Sequence, residues 1–124
     1  MRFLSMIRVD ESTAQPPSEK MMADMGKLME EMTRKGVLIS TAGLLPTKDG
    51  ARIRFQGGRL TRTDGPFTES KEVIGGYAIV EANSLDHAIE LTNRFLAVHD
   101  THYNVECELR QLAGPDFGCG NEKQ

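Results

Sequence analysis

Residues 77–112 read YAIVEANSLDHAIELTNRFLAVHDTHYNVECELRQL, and the succession of patterns in this stretch decides the fold. Tyr77 to Ala82 is a β-compatible run in which Tyr77, Ile79 and Glu81 alternate with the smaller Ala78, Val80 and Ala82. Ser84 then offers a side-chain oxygen to the free amides of a starting helix. Leu85, Ala88, Ile89, Thr92, Phe95 and Leu96 recur at helical steps and predict its inner face. After a loop at Asp100 to Tyr103, Asn104 to Leu112 alternates as a final strand. Val105, Cys107 and Leu109 take one side, and Glu106, Glu108 and Arg110 the other. The small apolar set suits packing under helices, so the charged set is expected on the face away from them.

Working back towards the N-terminus, a similar unit comes first. Phe3 to Val9 is an apolar, β-compatible run that Pro16 and Pro17 stop, and Ser18 is placed to cap a helix. Met22, Met25, Leu28 or Met29, and Met32 predict its buried face. Lys20, Asp24, Lys27, Glu31 and Arg34 take the other side, with Glu30 and Arg34 as an i,i+4 pair. Gly36 is the expected stop, and Val37 to Leu44 a second strand. Between the two units, Ala51 to Thr63 reads as a hairpin around Gly57-Gly58, a dipeptide able to take the positive φ angles of a two-residue turn. Without that insertion the order is β-α-β-β-α-β, an α+β fold of the ferredoxin-like kind. One antiparallel sheet then carries both helices on one face and nothing from the same chain on the other. Residues 1–113 are expected to form this domain, and residues 114–124, rich in glycine and charge, a flexible C-terminal tail.

Composition narrows the function. A chain of 124 residues with 39% hydrophobic and 27% charged residues can bury a core without disulfides or metal. A net charge of -3 gives no general attraction to phosphate backbones, so no nucleic-acid partner is expected without a local basic patch. The apolar start ends at Asp10 and Glu11, too short for a signal-peptide core, and no run approaches the length of a membrane span. No membrane partner follows, and the expected location is cytoplasmic, with Cys107 and Cys119 as reduced thiols.

The segment Thr63-Asp64-Gly65-Pro66-Phe67-Thr68-Glu69-Ser70-Lys71-Glu72, followed by Gly75-Gly76-Tyr77, resembles the signature of the DGPF branch of YCII-related proteins. The similarity extends to Pro17-Ser18-Glu19, to residues 50–55 and to residues 106–110, so it covers nearly the whole domain. The resemblance implies a dimeric α/β barrel, in which the sheets of a homodimer pack face to face around a cavity. Some relatives carry a histidine early in helix one, proposed to act with an aspartate. Ser18-Glu19-Lys20-Met21-Met22 has none, so that dyad does not transfer. Relatives also occur beside genes for alternative sigma factors, which points to a regulatory module with a transcription-factor partner as the alternative function.

Three groups of residues are candidates for chemistry. Asp64 sits in a turn where the usual amide partner two residues on is Pro66, which has no N–H. It therefore caps Phe67 in a structural elbow, or stands at a pocket rim as a proton acceptor. The uncovered sheet face gathers Tyr77, Glu81, Glu106, Glu108 and Arg110. Enclosed by a second sheet, these would line a wet, polar cavity; left open, they form an ordinary solvated face. The hairpin puts Arg52, Arg54 and Arg59 on one side with Thr61 and Thr63, an anion-holding set or plain solubilising charge. His99 and His102 could aim at a metal, but too few ligands lie nearby, so none is expected. His99 remains a candidate general base beside Asp64. Arg54 and Phe67 join the candidate ligand contacts, and no cofactor motif is present. The favoured expectation is a small-molecule binding or transforming protein, and no residue pattern fixes a reaction.

Overall fold

The structure, a computed structural model, describes residues 1–13, 15–67 and 71–114. The expected tail past residue 114, with Cys119 in it, and Thr68-Glu69-Ser70 of the motif lie outside the described residues. The elements run β1 (Arg2–Val9), α1 (Glu19–Arg34), β2 (Leu38–Gly43), β3 (Ala51–Gln56), β4 (Arg59–Asp64), β5 (Val73–Glu81), α2 (Leu85–Ala97) and β6 (Glu106–Gln111). One sheet has the order β2-β5-β1-β6 with every pairing antiparallel, and β3 and β4 form a separate two-stranded hairpin. This mixed α+β arrangement, with antiparallel sheets and two helices, is consistent with a ferredoxin-like domain.

Both helices begin where the sequence provides caps. Ser18 Oγ accepts from the Met21 amide at 3.0 Å and Ser84 Oγ from the His87 amide at 3.1 Å. His87 also closes the first turn of α2, its Nδ1 accepting from the Asn83 amide at 3.0 Å. At the far end of α1, Gly36 takes φ 77° while its amide reaches Thr33 O and the Val37 amide reaches Met32 O, the pattern of a Schellman stop.

The core lies between the helices and one sheet face. Phe3, Val80 and Ala82 from the sheet meet Leu28, Met32, Ala88 and Leu91 from the helices. Two helix expectations need correction. In α1 the stripe starts at buried Met21, whereas Met22 is 58% exposed. Both choices keep helical spacing, and a long-range contact decides: the Asp100 amide meets Met21 Sδ at 3.4 Å. In α2 the inward side chains are Ala88, Leu91 and Phe95, while Leu85 and Ile89 are largely exposed. Ala88 is fully buried against the sheet, and that close approach sets the rotation of the helix. The i,i+4 pairs that form in α1 are Lys20–Asp24 and Lys35–Glu31 rather than Glu30–Arg34. Arg94 of α2 also reaches Glu31, tying the helices together.

Gly26, inside α1, is exposed, and a Cβ there would meet nothing within 4 Å. Gly26→Ala removes backbone freedom from the unfolded chain at no steric cost, so it should stabilise by about 1 kcal/mol. Calorimetry should show a melting midpoint roughly 4 °C higher.

Candidate functional site

Residues directly opposed across neighbouring strands share a face, so the register assigns every sheet side chain. Phe3 lies opposite Val80 and Gln111, Ser5 opposite Ala78 and Leu109, and Ile7 opposite Gly76 and Cys107. That is the face under the helices. There, burial pushes the half-buried Cys107 thiol above its ordinary pKa, which keeps it protonated and poorly reactive.

On the other face, Leu4 lies between Ile79 and Arg110, Met6 between Tyr77 and Glu108, and Arg8 between Ile74 and Glu106. Leu4, Met6, Tyr77 and Ile79 thus form an apolar square across the two central strands. The Tyr77 hydroxyl and Ser40 Oγ are hydrogen-bonded at 3.1 Å at one side of it. Charges frame the two ends. At one end the N-terminal ammonium and Arg2 hold Glu81 at 2.7 and 3.3 Å, and together they keep its carboxyl below the usual range. At the other end Arg8 stands between Glu72 at 3.9 Å and Glu108 at 3.8 Å. Glu106, Glu108 and Arg110 are exposed on this face, and among the described residues no ion pair engages Glu106 or Arg110. Sequence reasoning missed Leu4, Met6 and Arg8, because a strand apolar on both sides gives no alternation to read.

Beyond Arg8 the face runs into an open cleft of about 700 Å³, lined by Arg8, Leu45, Thr47, Arg52, Phe67 and Glu72 among others. Of the Asp64-Gly65-Pro66-Phe67 turn, Phe67 lines this cleft. Asp64 does not cap Phe67: its carboxylate accepts from Arg62 Nε at 2.7 Å and is mostly exposed. The Phe67 amide donates instead to Thr47 Oγ1 at 3.3 Å, and the half-buried ring lies under Arg52, whose guanidinium carbon is 4.0 Å from its centroid. Thr47 in turn donates both its amide and its hydroxyl to the Glu11 carboxylate.

The hairpin has the register expected of a two-residue turn, with Gly57 at φ 61° and Gly58 at φ 76°. Arg52 opposes Thr63, Arg54 opposes Thr61 and Gln56 opposes Arg59, so the three arginines share a face. The opposite face carries Ile53, Phe55 and Leu60, which sequence reasoning did not single out.

His99 lines a different cleft, of about 590 Å³, with Ser18, Lys20, Asp100 and His102. Its Nδ1 donates to the Phe95 carbonyl at 3.1 Å, and Phe95 and Tyr103 meet the ring edge-on. Among the described residues no hydrogen bond, ion pair or ring contact joins His99 to Asp64, and no group of three ligating side chains is placed to hold a metal. Asp100 accepts from Ser18 at both oxygens, Oδ1 from the hydroxyl at 2.6 Å and Oδ2 from the amide at 2.9 Å. These bonds hold its carboxyl below its ordinary value of 3.8.

A carboxyl group with a lower pKa folded than unfolded binds fewer protons when folded. Its stabilisation is complete above the unfolded value and disappears as pH falls through the folded one. Asp100, Glu31 and Glu81 all shift this way, so the melting midpoint should drop as the solution is acidified below about pH 4.5. Asp100→Asn should flatten that acid limb in thermal melts taken between pH 3 and 7. An equally steep limb in the variant would remove Asp100 from the account.

The fold and this geometry define an α+β domain with one sheet face under helices and the other open in the single chain. The YCII-related domain model matches residues 1–106, and the chain belongs to that family. An uncharacterized protein of Rhizobium meliloti (strain 1021) is 33% identical over 72 residues, and the chain spans 58% of the length of that relative. Among solved structures, CutA from Xylella fastidiosa aligns with a TM-score of 0.40 at 13% identity, over 91% of this chain and 85% of that one. No helix among the described residues is long and apolar enough to cross a membrane.

Proposed function

We propose that the chain works as a homodimer whose two four-stranded sheets face each other, and that the chamber between them binds a small polar molecule. The observation that carries this reading is that β1 and β5 are apolar on both faces. An antiparallel sheet with one solvated face normally alternates apolar with polar, and continuous apolar strands mark a sheet covered on both sides. Phe3, Ile7 and Val80 explain one side through the helices; Leu4, Met6, Tyr77 and Ile79 require a cover on the other. A second copy is the usual remedy for a two-layer domain. Glu106, Glu108 and Arg110 on β6, with Arg8, then line a chamber that stays wet, because unpaired charge is costly to bury dry. The cleft beside Phe67 supports the reading, since Arg8 and Glu72 belong both to it and to the end of the face. Asp64 and His99 stand apart, so the geometry favours binding over a reaction shared by those two.

A thermal-shift screen of small polar metabolites tests the reading. A ligand at about 100 times its Kd should add about 2.7 kcal/mol, several degrees of midpoint. The gain should vanish in Glu108→Gln and Arg110→Ala, both at exposed positions. Silence across the library, or a shift that both variants retain, would count against a chamber on this face.

A further inference from the structure

The hairpin of β3 and β4 raises a question that the sheet does not answer. Its strands pair only with each other, and every residue in both is exposed. A lone two-stranded hairpin is marginal in water and needs packing against something else. One of its faces nevertheless carries an apolar cluster beside the Arg62–Asp64 pair, with Ile53 64%, Phe55 72% and Leu60 72% exposed. At its base the arginine-bearing face is already engaged by its own subunit, where Arg52 covers Phe67. The apolar face is the one left over.

We infer that this face docks on a second copy of the chain, as an arm that each subunit lays on the other; the inference rests on the sheet-to-sheet pairing proposed above. Charge favours this occupant. Arg52, Arg54, Arg59 and Arg62 against Asp64 give the hairpin a formal +3 within a chain of -3, so everything outside it carries -6. A basic arm is therefore attracted to the acidic body of a second copy. The apolar trio, with the Arg62–Asp64 ion pair beside it on the same face, also has the make-up of an interface, a hydrophobic centre with a polar rim.

Sedimentation equilibrium over a concentration series tests the arm separately from the pairing. Wild type should be a dimer. Phe55→Ser combined with Leu60→Ser should raise its dissociation constant about 30-fold or more. Arg54→Glu combined with Arg59→Glu should raise it as well and make it less sensitive to salt. All four residues are exposed, so circular dichroism should report an intact fold in both variants. A wild-type dimer whose constant neither variant moves by more than two-fold overturns the arm and leaves the pairing intact. Wild type that stays monomeric overturns the pairing, and the arm with it.

Discussion

Gly65→Ala should lower the melting midpoint by about 10 °C and free the hairpin from the body. A Cβ at residue 65 would lie 1.6 Å from the Thr47 carbonyl oxygen and 2.6 Å from its carbon, so one backbone must move. The 3-10 turn at Thr47–Asp49 is poorly placed to give way. The Thr47 amide and hydroxyl are held by Glu11, its carbonyl accepts from the Gly50 amide at 2.9 Å, and its Oγ1 receives the Phe67 amide. Nor can residue 65 retreat without losing its own bond to Gly50 O at 3.0 Å. Overpacking typically costs 1–3 kcal/mol, and a clash between two hydrogen-bonded backbones belongs near the upper end, about 3 kcal/mol. Hydrogen exchange should quicken between residues 47 and 67. Gly50→Ala is the control, since its Cβ would meet the same oxygen at an ordinary 3.6 Å and should change little. If alanine were as well tolerated at 65 as at 50, the close approach of Gly65 to Thr47 would not be what fixes this turn.

If the proposed pairing of sheets holds, Ile79→Lys should abolish it while leaving the monomer folded. Ile79 sits opposite Leu4 on one side and Ser40 on the other, in the middle of the face that the pairing would cover. In the single chain it is half-buried, and a lysine there can carry its charge into solvent along its alkyl stem. In a closed pair the ammonium would have to be desolvated, and removing water from an unpaired charge costs several kcal/mol. A penalty of about 3 kcal/mol corresponds to a dissociation constant more than 100-fold higher. Light scattering on a dilution series should show the variant as monomer at concentrations where the proposed pairing makes wild type a dimer. An undiminished dimer would move the interface elsewhere on the molecule.

Where polar and apolar residues alternate, the sequence is easy to read, and the site divides along that line. β6 alternates cleanly, so the placing of Glu106, Glu108 and Arg110 opposite Cys107 and Leu109 could be deduced from the residues. β1 does not alternate, because Leu4 and Met6 are as apolar as Phe3 and Ile7, and Ser5 is the polar residue buried at 5% exposure. Half of the candidate interface was therefore hidden in a strand that looked uniformly apolar. The helices show a second limit. Met21 and Met22 fit the same periodicity, and Asp100, distant in sequence, selects between them. Asp64 shows a third. Pro66 removes its usual amide partner, and the replacements are Arg62, two residues back on the same strand, for the aspartate, and Thr47, in a turn distant in the chain, for Phe67.

The cover on the open sheet face can be examined by methyl NMR with a soluble paramagnetic agent. At concentrations where the chain self-associates, the methyls of Leu4, Met6 and Ile79 should be shielded, while those of Leu45, 80% exposed in the chain, should broaden fully. Dilution should remove that shielding. Equal broadening of Leu4, Met6 and Ile79 at high and low concentration would contradict a face closed by a second copy.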